Sequence, residues 1–259
     1  MNTYLLIEGA LVHGALSEVP GFRAPDAAWL ATLLPGAARL AGPVLLSQQG
    51  MLDAGHDAAK AFAHWVKAYP CGLHASYLDS ALDLPALAAH LSRHLRIVDD
   101  DGSLYALRLA DCRVLATLPK VLDARQWAQL TAPLRAWTYH QRDGTPAPLR
   151  ITPPAVEDAH DDEPLRLTSR QLDALVEFAE PDALLAAIGQ TPDLTASRRG
   201  LAWLHRVARH CLKTWRESGH TSRDLLHDFA LQAIRSNGAL LDDPAQVRRV
   251  LGTRSQGGA

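Results

Sequence analysis

Apolar residues recur at helical spacing in two stretches of the chain, and these stretches predict its clearest helices. Over 83–96 the leucines fall three or four positions apart, which places them on one helix face. Asp83 is suited to cap this helix, and Pro85 fits its first turn. A longer helix is predicted over 197–218, and Gly219 marks its end.

Short apolar runs bounded by turn residues predict strands at 3–7, 44–46 and 73–78. A hairpin is predicted over 97–109, because the turn Asp100-Asp101-Gly102 separates two such runs. Proline, glycine and aspartate at their ends indicate further helices in this half of the chain. These helices are predicted over 53–69, 111–118 and 123–130.

Residues 143–164 differ in composition from the regions on either side. Four prolines precede the acidic run 157–163 in this stretch. So much proline and charge cannot pack a core, so a linker is predicted. Beyond it, capping boxes at Thr168–Gln171 and Thr221–Asp224 predict helix starts, and Pro181 is expected to interrupt the first of these helices.

Together these signals predict a chain of two lobes. Strands and helices alternate only in the first part, which predicts an α/β N-terminal lobe over 1–142, a small mixed sheet with packed helices. The Pro-rich, acidic linker covers 143–164. Only helical signals follow, so an all-α C-terminal lobe is predicted over 165–259.

Charge and cysteine usage narrow the functional classes. The 259 residues carry 26 basic and 28 acidic side chains, a balance that argues against a protein that coats nucleic acid. No apolar run approaches the ~20 residues of a membrane span, and the chain reaches Glu8 without the basic segment of a secretory signal. Cys71, Cys112 and Cys211 are odd in number and far apart, as in a reduced protein. We therefore expect a cytoplasmic protein without a membrane partner.

Motifs for catalysis are absent from the sequence. It has no phosphate-binding loop, no G-x-G-x-x-G, no G-x-S-x-G and no H-E-x-x-H, so no catalytic residue, metal or cofactor is predicted. His90 and His94 lie one helical turn apart and could share a metal ion, which leaves a metal-dependent hydrolase as an alternative. No third ligand is visible nearby, so we favour histidines at the edge of the apolar face, hydrogen-bonded to backbone or water.

The helix over 197–218 carries a basic face beside its apolar one. No acidic residue lies between Arg198 and Arg216, and Trp203 is expected to point away from the apolar stripe. A basic face of this kind is expected to pair with negatively charged groups, which the chain's own acids, a partner protein or nucleic acid would supply. The cations of this face are Arg199, Arg206, Arg209, Lys213 and Arg216. Tryptophan and arginine are favoured interface anchors, so the candidate partner-binding residues are Trp203, Arg206, Arg209, Lys213 and Arg216.

The sequence over 105–115 predicts a strand that runs straight into a capped helix. Asp111 is placed to satisfy the first N–H groups of that helix, and Arg108 and Arg113 flank it in sequence. The residues by themselves indicate a structural corner in which the Asp111 carboxylate pairs with a guanidinium.

This corner resembles the Asp-Pro-Arg-Val-Leu core of the adaptor-chaperone family of type VI secretion systems. Those proteins are typically encoded beside VgrG spike proteins and toxic effectors. The family's arginine before the core is matched by Arg108, and the core itself by Asp111–Leu115. The family's Phe-Gly-Pro turn and following tryptophan are matched by Ala132-Pro133-Leu134 and Trp137.

The resemblance extends over roughly residues 3–140. Leu5–Ala10 is similar to the family's opening strand, Gly42–Leu45 to its Gly-Pro-Trp-Leu segment, and Leu84–Leu95 to its leucine-rich helix. Departures from the pattern include Cys112 in place of proline and Glu8 in place of aspartate.

The resemblance implies a non-enzymatic function. Such an adaptor binds one toxic effector in the cytoplasm of the producing cell and loads it onto the VgrG spike. The first lobe would then supply the common scaffold, and the helical lobe would supply effector-specific contacts. Recognition would involve Trp203, Arg206, Arg209 and Arg216. A nucleic-acid-binding or other protein-binding module that uses the arginine-rich helix remains the alternative.

Overall fold

The computed structural model describes residues 2–12, 27–36, 39, 41–67, 69–151, 164–189 and 200–252. The chain divides into two compact units, which we call the first unit (1–176) and the second unit (177–259). The strands of the first unit are β1 (Asn2–Glu8), β2 (Leu30–Thr32), β3 (Pro43–Ser47), β4 (Ala75–Ser80), β5 (Arg96–Val98), β6 (Leu104–Ala106), β7 (Leu134–His140), β8 (Pro146–Pro148) and β9 (Leu165–Arg166).

Helices and two small sheets make up the first unit. The larger sheet has the strand order β2-β3-β1-β4-β7-β8 and is antiparallel throughout. The smaller sheet has the order β6-β5-β9, with β5 antiparallel to β6 and parallel to β9. The helices are α1 (Gln48–Asp53), α2 (His56–Lys67), α3 (Leu84–Arg93), α4 (Cys112–Leu115), α5 (Leu118–Val121) and α6 (Ala124–Thr131).

Strand β1 lies at the centre of the large sheet and is buried on both faces. Because strand side chains alternate in direction, Tyr4 and Leu6 pack into one core cluster while Leu5 and Ile7 pack into another. This two-sided burial explains why β1 is a continuous apolar run rather than an alternating one.

Helix α3 forms as the sequence predicts. The Asp83 carboxylate accepts a hydrogen bond from the Ala86 N–H at 2.9 Å. Leu87 and Leu91 are fully buried members of the main core cluster of the first unit. In the same cluster the Trp127 and Trp137 rings stack with their centroids 6.4 Å apart. The predicted α/β class of the N-terminal part is therefore confirmed.

Three predicted element boundaries were wrong. The helix predicted over 53–69 begins only at His56, because Gly55 adopts φ +87° between α1 and α2. Pro181 lies inside the helix α7 (Ser169–Ala187) and does not interrupt it. Ser222, not Thr221, caps the helix that follows, by accepting from the Leu225 N–H at 3.3 Å.

The predicted linker 143–164 contains part of the large sheet. Strand β8 pairs only with β7 in the described sheet and therefore forms its edge. Pro146 and Pro148 have no N–H group to donate, which an edge strand tolerates because one of its sides has no neighbouring strand. Strand β9 also belongs to the first unit, and the division between units falls within α7, later than the boundaries predicted from sequence. The acidic run 157–163 lies outside the described residues.

Helices build the described part of the second unit, in line with the predicted all-α C-terminal region. They are the end of α7, α8 (Gly200–Glu217), α9 (Arg223–Arg235) and α10 (Pro244–Leu251). Helix α8 contributes an apolar face to the core cluster, and α9 packs against it through Leu226 and Phe229. Over the ranges described above, no helix is both long and apolar enough to cross a membrane.

Candidate functional site

The corner predicted around Asp111 is built from one buried carboxylate and a guanidinium fork. Asp111 is 1% exposed and caps α4 by accepting from the Arg113 backbone N–H at 3.0 Å. The Arg113 side chain donates from Nε to Oδ1 at 2.9 Å and from Nη2 to Oδ2 at 2.7 Å. This paired geometry fixes both side chains and makes a strong, charge-assisted contact.

A second arginine connects this corner to the end of β1. Arg108 Nη2 lies 3.3 Å from Asp111 Oδ2 and 4.0 Å from Glu8 Oε1. Burial raises the pKa of the Glu8 carboxyl, and the Arg108 charge partly opposes that shift. In the described part of the chain, Glu8 Oε2 has no hydrogen-bond partner. The Arg108 side chain is 46% exposed. Arg108 is therefore a surface cation that lies against two buried carboxylates.

The remaining residues of the family-like motif have structural contacts. Pro133 precedes β7, and its carbonyl accepts from the Ser80 hydroxyl at 2.7 Å. Trp137 is 1% exposed and donates from Nε1 to Ser76 Oγ at 3.0 Å. The Cys112 thiol donates to the Ala75 carbonyl at 3.1 Å, and burial raises its pKa to about 12. A thiol held protonated in this way is a packing group rather than a nucleophile.

The two histidines of α3 face the protein interior. His90 donates from Nε2 to the Leu130 carbonyl at 2.9 Å, and its ring lies edge-on to that of His94 with centroids 4.8 Å apart. Burial lowers the pKa of His90, and burial together with the His90 and Arg93 charges lowers that of His94 to about 4. No group of three or more potential metal ligands occurs among the residues that the structure describes. The contacts of His90 match the hydrogen-bonded interpretation that the sequence favours.

A groove in the second unit brings together the predicted basic residues of α8. Its volume is about 920 Å³. Arg206, Arg209, Lys213 and Arg216 all line it, together with the ring of Phe178 from α7. From Arg206 to Arg216 the row of cations extends about 15 Å, at 1.5 Å per helical residue. The full lining is Glu177, Phe178, Glu180, Pro181, His205, Arg206, Arg209, His210, Leu212, Lys213, Arg216 and Glu217.

Acidic residues of the chain itself satisfy part of this basic face. Arg216 of α8 donates to the Glu180 carboxylate of α7, and Lys213 lies 3.7 Å from Glu217. Among the described residues, Arg206 and Arg209 have no ion-pair partner, and both are exposed. Charge therefore accumulates at Arg206 and Arg209, while the other two cations are paired. Arg199 lies outside the described residues.

The predicted orientation of Trp203 was wrong. Trp203 is half-buried and packs against the apolar cluster of the second unit. A Cβ placed on Gly238 would lie 3.9 Å from its ring, so the indole lies close to the turn after α9. Trp203 is therefore part of the core edge and does not line the groove. Phe178 and Glu180 were missed, because they come from α7 and no local pattern connects them with α8.

Residues 3–129 match the family described as "Domain of unknown function (DUF4123)". That family is associated with adaptors of type VI secretion effectors. No curated protein and no solved structure matches the chain.

The DUF4123 match separates the two candidate sites. Arg108, Asp111 and Arg113 lie within the matched residues, so the corner belongs to the DUF4123 region. Pro133 and Trp137 lie just beyond it, and every residue of the groove lies far beyond it in sequence. The groove is thus a feature that the family model does not describe.

Proposed function

We propose that this protein is a type VI secretion adaptor, a cytoplasmic chaperone that binds one cognate toxic effector and loads it onto the VgrG spike. The DUF4123 match over residues 3–129 is the observation that carries this proposal. Three motif residues of the resemblance noted in the sequence, Arg108, Asp111 and Arg113, also assemble into one connected corner. In this proposal the protein acts by binding and not by catalysis.

The corner around Asp111 supports a scaffold function for the first unit. Its buried carboxylates are held by Arg113 and Arg108, which fix the end of β1 to the start of α4. A rigid frame of this kind suits a surface that must present the same contacts to the shared parts of a secretion machine. Arg108 is the half-exposed member of the cluster, and we assign it to that surface.

The groove supports partner binding by the second unit. Protein interfaces combine apolar area with arginine and aromatic anchors, and this groove has Phe178 beside four cations. Effectors differ from one another, so the part that recognises one effector is expected to lie outside the region shared by the family. We therefore assign the effector contact to the second unit and the common contacts to the first.

Secretion from the producing cell tests this function. Deleting the gene should abolish secretion of the cognate effector and leave the secretion of VgrG and of unrelated effectors intact. Re-expression of the full chain should restore it. The proposal fails if the effector is still secreted at the original level without the chain, or if every cargo of the machine is lost together.

A further inference from the structure

The groove of the second unit has a charge pattern that indicates what it binds. Arg206 and Arg209 lie one turn apart on α8 and are exposed, whereas Arg216 is held by Glu180 and Lys213 lies beside Glu217. Among the described residues of the groove, the cations without an ion-pair partner are therefore Arg206 and Arg209. The remaining charged residues of the lining are two cations and three carboxylates, and its apolar residues are Phe178, Pro181 and Leu212.

We propose that this groove binds a short acidic segment of the effector, one that places carboxylates against Arg206 and Arg209 and apolar side chains beside Phe178. The inference rests on the proposed function and specifies its partner. Two guanidinium groups about one turn apart match two carboxylates at similar spacing on a partner. Apolar side chains would displace water from Phe178, which is 40% exposed, and burial of apolar area favours association.

The same groove is poorly suited to a nucleic acid. Glu177, Glu180 and Glu217 line it together with the cations. A phosphate backbone carries charge at every nucleotide and would meet these carboxylates, whereas a protein segment can be acidic at one end only. Base stacking also needs aromatic platforms in a basic channel, and Phe178 is the groove's one phenyl or indole ring among the described lining residues.

The acidic run 157–163 of this chain is the competing occupant. It carries five carboxylates in seven residues but only one apolar side chain, Ala159. Phe178 is an exposed apolar side chain of the groove, so a segment with larger apolar side chains would bury more of its area. This difference favours the effector segment, and the experiment below separates the two occupants.

A charge-reversal experiment tests the proposal on the full chain. The double variant Arg206→Glu/Arg209→Glu should bind the purified cognate effector about tenfold or more weaker than the original chain. The matched control is Arg235→Glu/Arg248→Glu, which makes the same charge change at exposed arginines of the second unit outside the groove, and it should bind as the original chain does. Changing the contacted effector carboxylates to lysine should restore binding to the double variant, which a misfolded groove would not permit.

A photo-crosslinking residue at Phe178 identifies the occupant. It should attach to an acidic segment of the effector in the complex. Attachment to 157–163 of the chain, to added single-stranded RNA, or to nothing would overturn the proposal. If the original chain does not bind the effector at all, the proposed function itself fails. If binding persists unchanged in the double variant, only the groove assignment fails.

Discussion

Arg113 holds the buried carboxylate of Asp111 through two parallel N–H···O contacts, and Asp111 at the same time caps the helix that carries Arg113. Two residues only two positions apart in sequence thus fix both the start of a helix and the position of a guanidinium. The exposed Arg108 depends on this arrangement, because Asp111 is also its closest acidic partner.

Replacing Asp111 by asparagine should destabilise the protein by about 3 kcal/mol. The change keeps the size of the side chain but removes the carboxylate charge that the Arg113 guanidinium contacts in a largely buried place, where the Arg113 side chain is 16% exposed. Urea denaturation followed by circular dichroism measures the free energy of unfolding.

The matched control for that change is Asp53→Asn. Asp53 is exposed and accepts a hydrogen bond only from the Gln49 side chain among the contacts described, so its replacement should change stability by less than about 0.5 kcal/mol. Equal changes in the free energy of unfolding for the two substitutions would show that the Asp111 corner does not stabilise the fold more than an exposed carboxylate does.

Replacing Glu8 by glutamine should stabilise the protein more at pH 8 than at pH 4, when the variant is compared with the original chain at each pH. Burial raises the pKa of Glu8 in the folded protein. At pH values between the unfolded and the folded pKa of Glu8, the folded state therefore binds more protons than the unfolded state. The original chain therefore loses stability as the pH rises through the folded pKa, and the glutamine variant escapes this loss.

Denaturation of both proteins at the two pH values measures this difference. The free energy of unfolding of the variant minus that of the original chain should be larger at pH 8. A difference that shrinks with rising pH would mean that the Arg108 contact outweighs the burial of Glu8.

Acid should weaken the protein through His94. Its folded pKa is about 4, below the ordinary value of 6.5, so between these values the unfolded state binds more protons. Stability should fall as the pH drops from 6.5 towards 4, with a slope of up to about 1.4 kcal/mol per pH unit from this residue.

The variant His94→Gln should flatten that slope, and denaturation midpoints across the range measure it. His56→Gln is the control, because His56 is exposed on α2. A slope that persists in His94→Gln, or that flattens equally in His56→Gln, would remove His94 as its cause.

Replacing Glu180 by glutamine should strengthen effector binding several-fold. Glu180 forms an ion pair with the Arg216 guanidinium. Neutralising Glu180 therefore adds a third available cation to the groove that we assign to an acidic segment. The stability change should stay within about 1 kcal/mol, because the pair is partly exposed. Isothermal titration with the purified effector measures the dissociation constant.

The control for Glu180→Gln is Asp228→Asn, which removes an exposed negative charge of the second unit outside the groove. It separates a local effect from a general change in net charge. Weaker binding in Glu180→Gln would indicate that Arg216 serves the fold of the groove and not the partner.

Local signals account for the parts of the fold that the sequence predicted. Helix α3 has its cap, its first-turn proline and its apolar face within one stretch, and β1 is a buried apolar run. Strand β8 was missed because prolines argue against a strand, and only its place at a sheet edge makes Pro146 and Pro148 compatible with one. Edge position is a property of the folded sheet and has no local pattern.

The candidate sites divide in the same way. The contacts of Asp111 with Arg113 span two residues, so the cap and the ion pair could be predicted directly. The groove depends on Glu180 and Phe178, which lie 20 and 22 residues before the start of α8. The basic face of α8 was visible in the sequence, but its partial neutralisation was not.

Reconstitution of the loading step tests the central claim most directly. Purified chain, cognate effector and VgrG are mixed, and the mass of the resulting particle is measured by light scattering after gel filtration. The adaptor account predicts a complex of all three proteins that loses the effector when the chain is left out. Equal binding of the effector to VgrG with and without the chain would contradict it.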